Sequence, residues 1–247
     1  MDLKIKDVAE LLNVSETTVR RWLAEEKIPA YRLGNQFRFS RIEIENWVMN
    51  RKMGKEQIQP NPFSQEKIKL NAENTNKLLS KRIGTQAFSL YRAIYKGGVI
   101  ESMPGNTKEE IILSSVQVIA NNLGVDADVL AELLIDRENL MPTALNHGVG
   151  VPHTRDFLLQ KPLDVVTVVY PKNPIEYGAL DGKKVNVLFF LFACEDKRHL
   201  HLLAKIAHLT RNEDALAFFA KRPKHAQVLE FIKKWEAEIK QPEFAEN

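Results

Sequence analysis

Apolar residues near the start of the chain recur first at helical spacing and then in alternation. The two helical stripes comprise Val8, Leu11, Leu12, Val19, Trp22 and Leu23. Asn13 and Val14 separate the stripes, and Ser15 precedes the second one as a favourable N-cap. The pattern therefore predicts two short helices joined by a tight turn.

The alternation that follows predicts a β-hairpin. Tyr31 and Leu33 alternate on one side of the pair Gly34-Asn35, a hairpin-turn signal, and Phe37 and Phe39 alternate on the other. A third helix is predicted from Ser40, with Glu43 at capping-box spacing and Ile44, Trp47 and Val48 as its inner face. Helix, turn, helix, hairpin and helix together predict a small α+β winged helix-turn-helix domain over residues 1–52.

The pattern changes twice more along the chain. Residues 53–82 are rich in Lys, Gln, Asn and Glu with little sustained apolar periodicity, which is typical of a linker. Beyond them, "TKEEIILSSVQVIANNLG" and "DADVLAELLIDRENL" have helical spacing, whereas "DVVTVVY" and "KVNVLFFLFAC" are apolar runs typical of buried strands. Further helical segments follow. Residues 83–247 are therefore predicted to form an α/β layered domain, a mixed sheet covered by helices.

Composition narrows the class of protein. Of 247 residues, 44% are hydrophobic and 27% charged, as in an ordinary globular protein, and no apolar run is long enough to cross a membrane. The N-terminus lacks the pattern of a secretory signal, and the single cysteine, Cys194, cannot form an internal disulfide. We expect a cytoplasmic protein without membrane insertion, with Cys194 buried as a small hydrophobic residue.

The small net charge of +3 is unevenly placed. Residues 1–55 contain 11 Lys and Arg against 8 Asp and Glu, whereas the rest of the chain is balanced at 24 of each. The whole excess therefore belongs to the first segment, which modestly favours an anionic partner there and nowhere else.

The segment "DVAELLNVSETTVRRWLAEEKIPAYRLGNQFRFSRIEIENWV" resembles the excisionase/MerR-type DNA-binding headpiece along its full length. In that family the second helix enters the major groove and the wing touches the backbone or the minor groove. The residues that this resemblance places on DNA are Thr17, Thr18, Arg20, Arg21, Arg32 and Arg38. The alternative is a small protein-interaction fold with a solvated basic face. Because one head offers few phosphate contacts, a homodimer on neighbouring half-sites is expected.

The stretch "ALNHGVGVPHTR" carries the strongest chemical signal in the second domain. His153 follows a proline on a loop with two glycines, where a histidine is less typical of core filling than on a helix face. A neutral imidazole nitrogen is a nucleophile near neutral pH, and the N-linked phosphoryl group it accepts is labile enough to be passed on. A structural loop histidine is the alternative.

With "DREN" before this loop and "VNVLFFLFACEDKRHLHLLAKIA" after it, the second domain resembles the enzyme IIA domain of the fructose/mannitol class in the phosphoenolpyruvate-dependent phosphotransferase system, including its nitrogen-regulatory branch. The resemblance implies that His153 is phosphorylated by the histidine phosphocarrier protein. It implies His199 as a second site histidine, by its "H-L-x-x-L" pattern, and Arg137 as a cation or organiser. An enzyme IIB is the implied onward acceptor. The resemblance requires neither a metal nor a cofactor.

Several alternatives stay open. His201 competes with His199 for the second histidine role, and the alternative for Arg137 is pairing with a neighbouring carboxylate. The family commonly has glycine where this chain has Thr154, and a smaller or amide side chain where it has His147. His147, His208 and His225 are interpreted as structural or solvated. Zinc binding by His199, His201 and His208 is disfavoured because these residues do not converge on one helix face.

The two domains together predict a regulator of transcription that depends on the state of the phosphotransferase system. The sequence shows neither a permease nor an enzyme IIB module, so we do not expect this chain to transport sugar by itself. One alternative is a phosphoryl relay to a separate enzyme IIB in sugar uptake. Another is a protein-binding sensor domain that is not phosphorylated. Whether the protein is an enzyme, in the sense of phosphohistidine phosphoryl transfer, depends on which of these three functions it has.

Overall fold

The computed structural model describes residues 2–12, 14–34, 36–50, 88–154, 159 and 163–239. The helices in these residues are α1 (Ile5–Leu12), α2 (Glu16–Ala24), α3 (Arg41–Asn50), α4 (Ser89–Gly97), α5 (Lys108–Leu123), α6 (Ala127–Leu140), α7 (Asp196–Leu209), α8 (Glu213–Ala220) and α9 (His225–Glu238). The strands are β1 (Asp2–Leu3), β2 (Tyr31–Leu33), β3 (Gln36–Ser40), β4 (Val99–Met103), β5 (Ala144–Leu145), β6 (Val149–Gly150), β7 (Val165–Pro171) and β8 (Val187–Phe192).

The N-terminal unit, residues 2–50, packs α1, α2 and α3 with a three-stranded antiparallel sheet of order β1-β3-β2. Ser15 caps α2 as predicted, since its hydroxyl accepts the N–H of Thr18 at 3.1 Å. Val8, Val19, Phe39 and Ile44 are fully buried in one small core. The helix-turn-helix prediction is confirmed. The β2–β3 hairpin lies where the wing was predicted, and its action as a wing on DNA stays a prediction.

The C-terminal unit, residues 88–239, is built on a five-stranded mixed sheet of order β4-β7-β8-β6-β5. β7 and β8 pair antiparallel at its centre, while β4 joins β7 and β6 joins β8 in parallel. Every residue of β7 and β8 is buried because helices cover both faces of the sheet. This burial explains why the two runs showed no alternation, and it confirms the predicted α/β layered architecture.

Four elements of the C-terminal unit were not predicted individually. They are α4, β4, β5 and β6, and the last two contain only two residues each. At the end of α4, Gly97 lies so close to the carbonyl of Val166 that an added Cβ would overlap it. Gly97, which the sequence alone suggests only as a helix end, is thus needed for α4 to pack closely against the sheet.

The two units pack against each other: α1 and α3 both contact α7. The predicted linker, residues 53–82, lies outside the described residues, and the domain boundaries at 52 and 83 stay predictions. The part of the chain that the structure describes contains no helix long and apolar enough to cross a membrane.

Candidate functional site

The strand order at the centre of the sheet places His153. The chain leaves β6 through Val151 and Pro152 and runs beside β8, where the N–H of Leu191 donates to the Pro152 carbonyl at 2.9 Å. His153 then forms a parallel bridge with Leu191, and its side chain is fully buried. The loop is thus held as an extra, irregular continuation of the sheet, which fixes the position of the imidazole.

One hydrogen bond decides which nitrogen of His153 carries the proton. Nδ1 lies 2.7 Å from the backbone carbonyl of Val151. Because a carbonyl oxygen only accepts, Nδ1 must donate, and the neutral ring therefore keeps its lone pair on Nε2. The arrangement leaves Nε2 as the ring nitrogen with a lone pair available to a reaction partner.

His199 faces His153 from the first turn of α7. The two rings meet edge to face with their centroids 5.0 Å apart, and both side chains are fully buried. Burial lowers the pKa of His199 to about 4, with smaller opposing effects of the charges around it. At neutral pH His199 is therefore an uncharged imidazole, able to donate one hydrogen bond and accept another.

Arg137 lies near this pair, on the last turns of α6. It is 4% exposed, and its Nη1 donates to the carbonyl of Met141 at 3.0 Å. The next residue, Glu138, accepts hydrogen bonds from the N–H and the hydroxyl of Thr143, which ties the end of α6 to the start of β5. Burial raises the pKa of Glu138, although the hydrogen bonds from Thr143 act to lower it. Arg137 thus sits on a rigid helix end, close enough to disfavour a charge on His199.

Three further charged residues surround His199, and two of them come from the N-terminal unit. Arg41 in α3 pairs with Asp196 at the start of α7, and its Nε donates to Glu45 at 3.0 Å. Glu45 is fully buried. Burial opposes the charge of Arg41, but the bonds to Asp196 and Glu45 raise its pKa overall.

Sequence reasoning missed Arg41, Glu45 and Asp196. The only signal available was that Arg41 and Glu45 stand four apart on the predicted third helix. Such spacing is equally typical of a solvated helix pair. Asp196 stands three residues before His199 on α7, whereas only the packing of α3 on α7 turns Arg41 and Glu45 into neighbours of His199.

The other histidines lie elsewhere. Nε2 of His201 is 3.1 Å from the hydroxyl of Ser89 on α4, and His208 packs against Trp235 with ring centroids 5.7 Å apart. His147 is exposed in the β5–β6 turn at φ 68°, and its N–H donates to Asp181. Of the two candidates on α7, His199 is the one that meets His153.

Cys194 differs from the expectation of a buried hydrophobic residue. It is only half-buried, because it lies just beyond β8, and its Sγ is 3.7 Å from Asp164. Burial and the neighbouring carboxylates raise the pKa of its thiol against the opposing charge of Arg198. Within the described residues, no three His, Cys, Asp or Glu side chains come together as metal ligands would.

The residues predicted to contact DNA divide between α2 and the hairpin. Thr17, Arg20 and Arg21 are exposed on α2, whereas Thr18 is half-buried and its hydroxyl bonds to that of Ser15 at 2.9 Å. Arg20 also forms an exposed ion pair with Glu16. Thr18 therefore has a structural task at the start of the helix.

The two hairpin arginines make local contacts. Arg32 on β2 is exposed and lies over the ring of Phe37 at 5.6 Å. Arg38 on β3 is half-buried and donates to the side chain of Gln36 at 2.7 Å. Both guanidinium groups are thus positioned by neighbours within the hairpin.

Comparison with known proteins gives matches to both units. The family model described as phosphoenolpyruvate-dependent sugar phosphotransferase system, EIIA 2, matches residues 94–235, and a helix-turn-helix domain model matches residues 3–52. The nitrogen regulatory protein of Pseudomonas aeruginosa is 30% identical over 128 residues, which are 51% of this chain and 82% of that protein.

Two further matches add detail. The solved structure of nitrogen regulatory protein IIA-Ntr from Neisseria meningitidis covers 56% of this chain and 93% of its own, with a TM-score of 0.50 and 22% identity, a likeness of fold alone. The transcriptional repressor DcmR of Methylorubrum extorquens is 48% identical over 48 residues, 19% of this chain and 18% of that protein. The matches thus include a nitrogen regulatory protein and, over a short stretch, a transcriptional repressor.

Proposed function

The chain belongs to the EIIA 2 family of the phosphoenolpyruvate-dependent sugar phosphotransferase system and carries a helix-turn-helix domain, and from this premise we propose that it is a DNA-binding transcription regulator whose C-terminal unit accepts a phosphoryl group on His153. The donor is the histidine phosphocarrier protein. The observation that carries the proposal is the hydrogen bond from Nδ1 of His153 to the Val151 carbonyl, which leaves the lone pair on Nε2.

The transfer needs no further reagent. The Nε2 lone pair attacks the phosphorus held by a histidine of the donor, a new N–P bond forms, and the N–P bond of the donor breaks with its electron pair returning to the donor ring. The Nδ1 proton of His153 stays on the hydrogen bond to Val151. Because that proton is fixed on Nδ1, the nucleophilic Nε2 is already deprotonated when the donor binds, and no change of tautomer has to precede the reaction.

His199 and Arg137 are the groups proposed to hold the transferred phosphoryl group. A neutral His199 donates one N–H to a phosphoryl oxygen, and the guanidinium of Arg137 offsets the negative charge. Their burial supports these roles, because hydrogen bonds and charges act more strongly away from water. Thr154, also buried, adds a hydroxyl from the same loop.

The N-terminal unit is proposed to bind duplex DNA through α2 and the β2–β3 hairpin. Its exposed Thr17, Arg20 and Arg21 support α2 as the helix that enters the major groove. The similarity to a transcriptional repressor over 48 residues supports the same reading. A homodimer then brings two heads to neighbouring half-sites, and residues 53–82 connect each head, residues 1–52, to its domain at 83–247.

The experiment is phosphoryl transfer from labelled phosphoenolpyruvate through enzyme I and the phosphocarrier to the full-length protein. We expect acid-labile label on the wild type and none on His153→Gln. His147→Asn is the matched control, since it changes the other histidine of the same sequence stretch, at an exposed turn where asparagine tolerates a positive φ. A wild type that stays unlabelled with a competent donor would overturn the proposal and leave a protein-binding sensor domain.

A second step separates regulation from relay. Labelled protein is mixed with an enzyme IIB, and its DNA affinity is measured beside that of unlabelled protein. Regulation predicts that DNA affinity depends on the label. Passage of label to enzyme IIB with unchanged DNA affinity would support the relay in sugar uptake instead.

A further inference from the structure

The N-terminal unit packs on the helix that carries His199, beside the proposed site of phosphoryl transfer. α7 carries His199 in its first turn, and the same turn begins with Asp196, the partner of Arg41 in α3. Packing of α1 and α3 on α7 therefore brings the N-terminal unit directly onto the site. His153 and His199 both have no exposed surface in this arrangement.

Burial of this kind is incompatible with the reaction. Phosphoryl transfer between two histidines requires the donor nitrogen, the phosphorus and the acceptor nitrogen roughly in line, so the two proteins must meet at the acceptor ring. A carrier protein cannot reach Nε2 of a ring with no exposed surface. The site must open before it can react.

The charges at the contact point in the same direction. Arg41 is shared between two carboxylates, those of Asp196 and Glu45, and Glu45 is fully buried. A phosphoryl group on His153 adds about 1.5 to 2 negative charges. These charges would be added beside Glu45, which is buried, and Asp196, whose side chain is 47% exposed. Because Arg41 already pairs with both carboxylates, the added negative charge disfavours the closed contact after phosphorylation.

We infer that the surface around His153 and His199 is the docking surface for the helix-turn-helix unit of the same chain, so that this unit and the phosphoryl donor compete for one surface. This inference rests on the proposed function. Undocking precedes phosphorylation, and phosphorylated His153 keeps the N-terminal unit released. Thr17, Arg20 and Arg21 stay exposed in the docked form. Docking therefore leaves the predicted DNA-binding helix accessible and controls its arrangement relative to the C-terminal unit.

The test compares Asp196→Lys with Glu195→Lys in the full-length protein. Asp196→Lys places a positive charge against Arg41 and leaves the Arg41–Glu45 pair inside the N-terminal unit intact. Glu195→Lys makes the same change of charge one residue earlier, at an exposed N-cap whose side chain makes no capping bond. Arg41→Ala repeats the disruption from the other side of the contact.

Two readouts are measured on each variant. Diethylpyrocarbonate modification of His153 and His199, quantified by mass spectrometry, reports exposure without any phosphoryl donor, and exposed His147 serves as the internal reference. The initial rate of phosphorylation at limiting donor reports competition. A donor that binds only the undocked form reacts at a rate proportional to the fraction of protein that is undocked. We therefore expect Asp196→Lys and Arg41→Ala to raise both the modification and the phosphorylation rate about tenfold. Glu195→Lys should stay close to the wild type.

The outcomes separate this inference from the proposed function. Equal modification of His153 and His199 in all four proteins, together with equal phosphorylation, would overturn docking as a competitor and leave the phosphoacceptor role standing. Increased modification of the two histidines in Asp196→Lys and Arg41→Ala, with no protein phosphorylated, would support docking and remove the phosphoacceptor role. Increased modification without faster phosphorylation in an active wild type would also overturn the competition.

Discussion

His153 and His199 come from segments 46 residues apart and meet as a buried pair of rings at 5.0 Å, edge to face. The meeting follows from the sheet, because the loop carrying His153 runs beside β8 and α7 begins four residues after β8 ends. One histidine has its tautomer fixed by a carbonyl, and the other is kept neutral by burial. The pair thus offers a nucleophile and a neutral hydrogen-bond donor in one place.

Replacement of His199 is expected to slow phosphorylation while leaving His153 in place. His199→Leu removes the N–H that the proposal gives to a phosphoryl oxygen, and a lost donor of this kind costs about 10²- to 10³-fold in rate. The initial rate of label transfer from the phosphocarrier measures it. His201→Leu, two residues along α7 and bonded to Ser89 instead, is the control. Equal rates for the two variants would remove His199 from the site.

The stability of the protein is expected to depend on pH through His199. Its pKa is about 4 in the folded chain against 6.5 for a free imidazole, so the unfolded chain takes up the proton first. The neutral His199 therefore stabilises the folded chain in full above about pH 6.5. Its contribution to the free energy of unfolding, up to about 3 kcal/mol, is lost as the pH falls towards 4. Urea unfolding at several pH values should show a steeper acid loss for the wild type than for His199→Gln. Parallel curves would contradict a buried, neutral His199.

Removal of an α2 arginine is expected to lower both the affinity for DNA and the dependence of that affinity on salt. Arg21→Ala deletes one exposed positive charge, so binding to a random-sequence duplex should weaken and the slope of log affinity against log salt should fall by about 1. Fluorescence anisotropy at several salt concentrations measures both quantities. Lys96→Ala, an exposed cation on α4, should change neither. An equal loss of DNA affinity in both variants would show that any exposed positive charge of the protein contributes equally, and it would contradict α2 as the DNA-binding helix.

Gly97→Ala tests the packing of α4 on the sheet. Alanine is a better helix former than glycine by about 1 kcal/mol, but here its Cβ would overlap the Val166 carbonyl, and backbone cannot give way cheaply. The overlap is expected to outweigh propensity and lower the free energy of unfolding by about 1–3 kcal/mol. Urea unfolding checks the sign, with Lys96→Ala on the same turn expected within about 0.5 kcal/mol of the wild type. A stabilised Gly97→Ala would contradict the close approach.

Local signals account for what could be predicted. Ser15 was recognised as an N-cap because its hydroxyl bonds a backbone N–H group within the next turn. β7 and β8 were recognised because full burial leaves an unbroken apolar run. β5 and β6 were missed because two residues form no pattern, and their pairing depends on β8.

The site was predictable only in part for the same reason. His153 and His199 stand in motifs, and the proline and apolar strand around them mark their positions. Arg41, Glu45 and Asp196 carry no motif, since their proximity arises from the packing of α3 on α7. Contacts between two units depend on surface shape, which neither periodicity nor spacing encodes.

The central claim is that Nε2 of His153 accepts the phosphoryl group, and phosphorus–proton correlation NMR of the full-length phosphorylated protein tests it most directly. The hydrogen bond from Nδ1 to Val151 predicts that phosphorus couples to the ring protons in the pattern of an Nε2-substituted imidazole, with the signal absent in His153→Gln. Phosphorus on Nδ1 of His153, or a signal that persists in His153→Gln, would contradict the account.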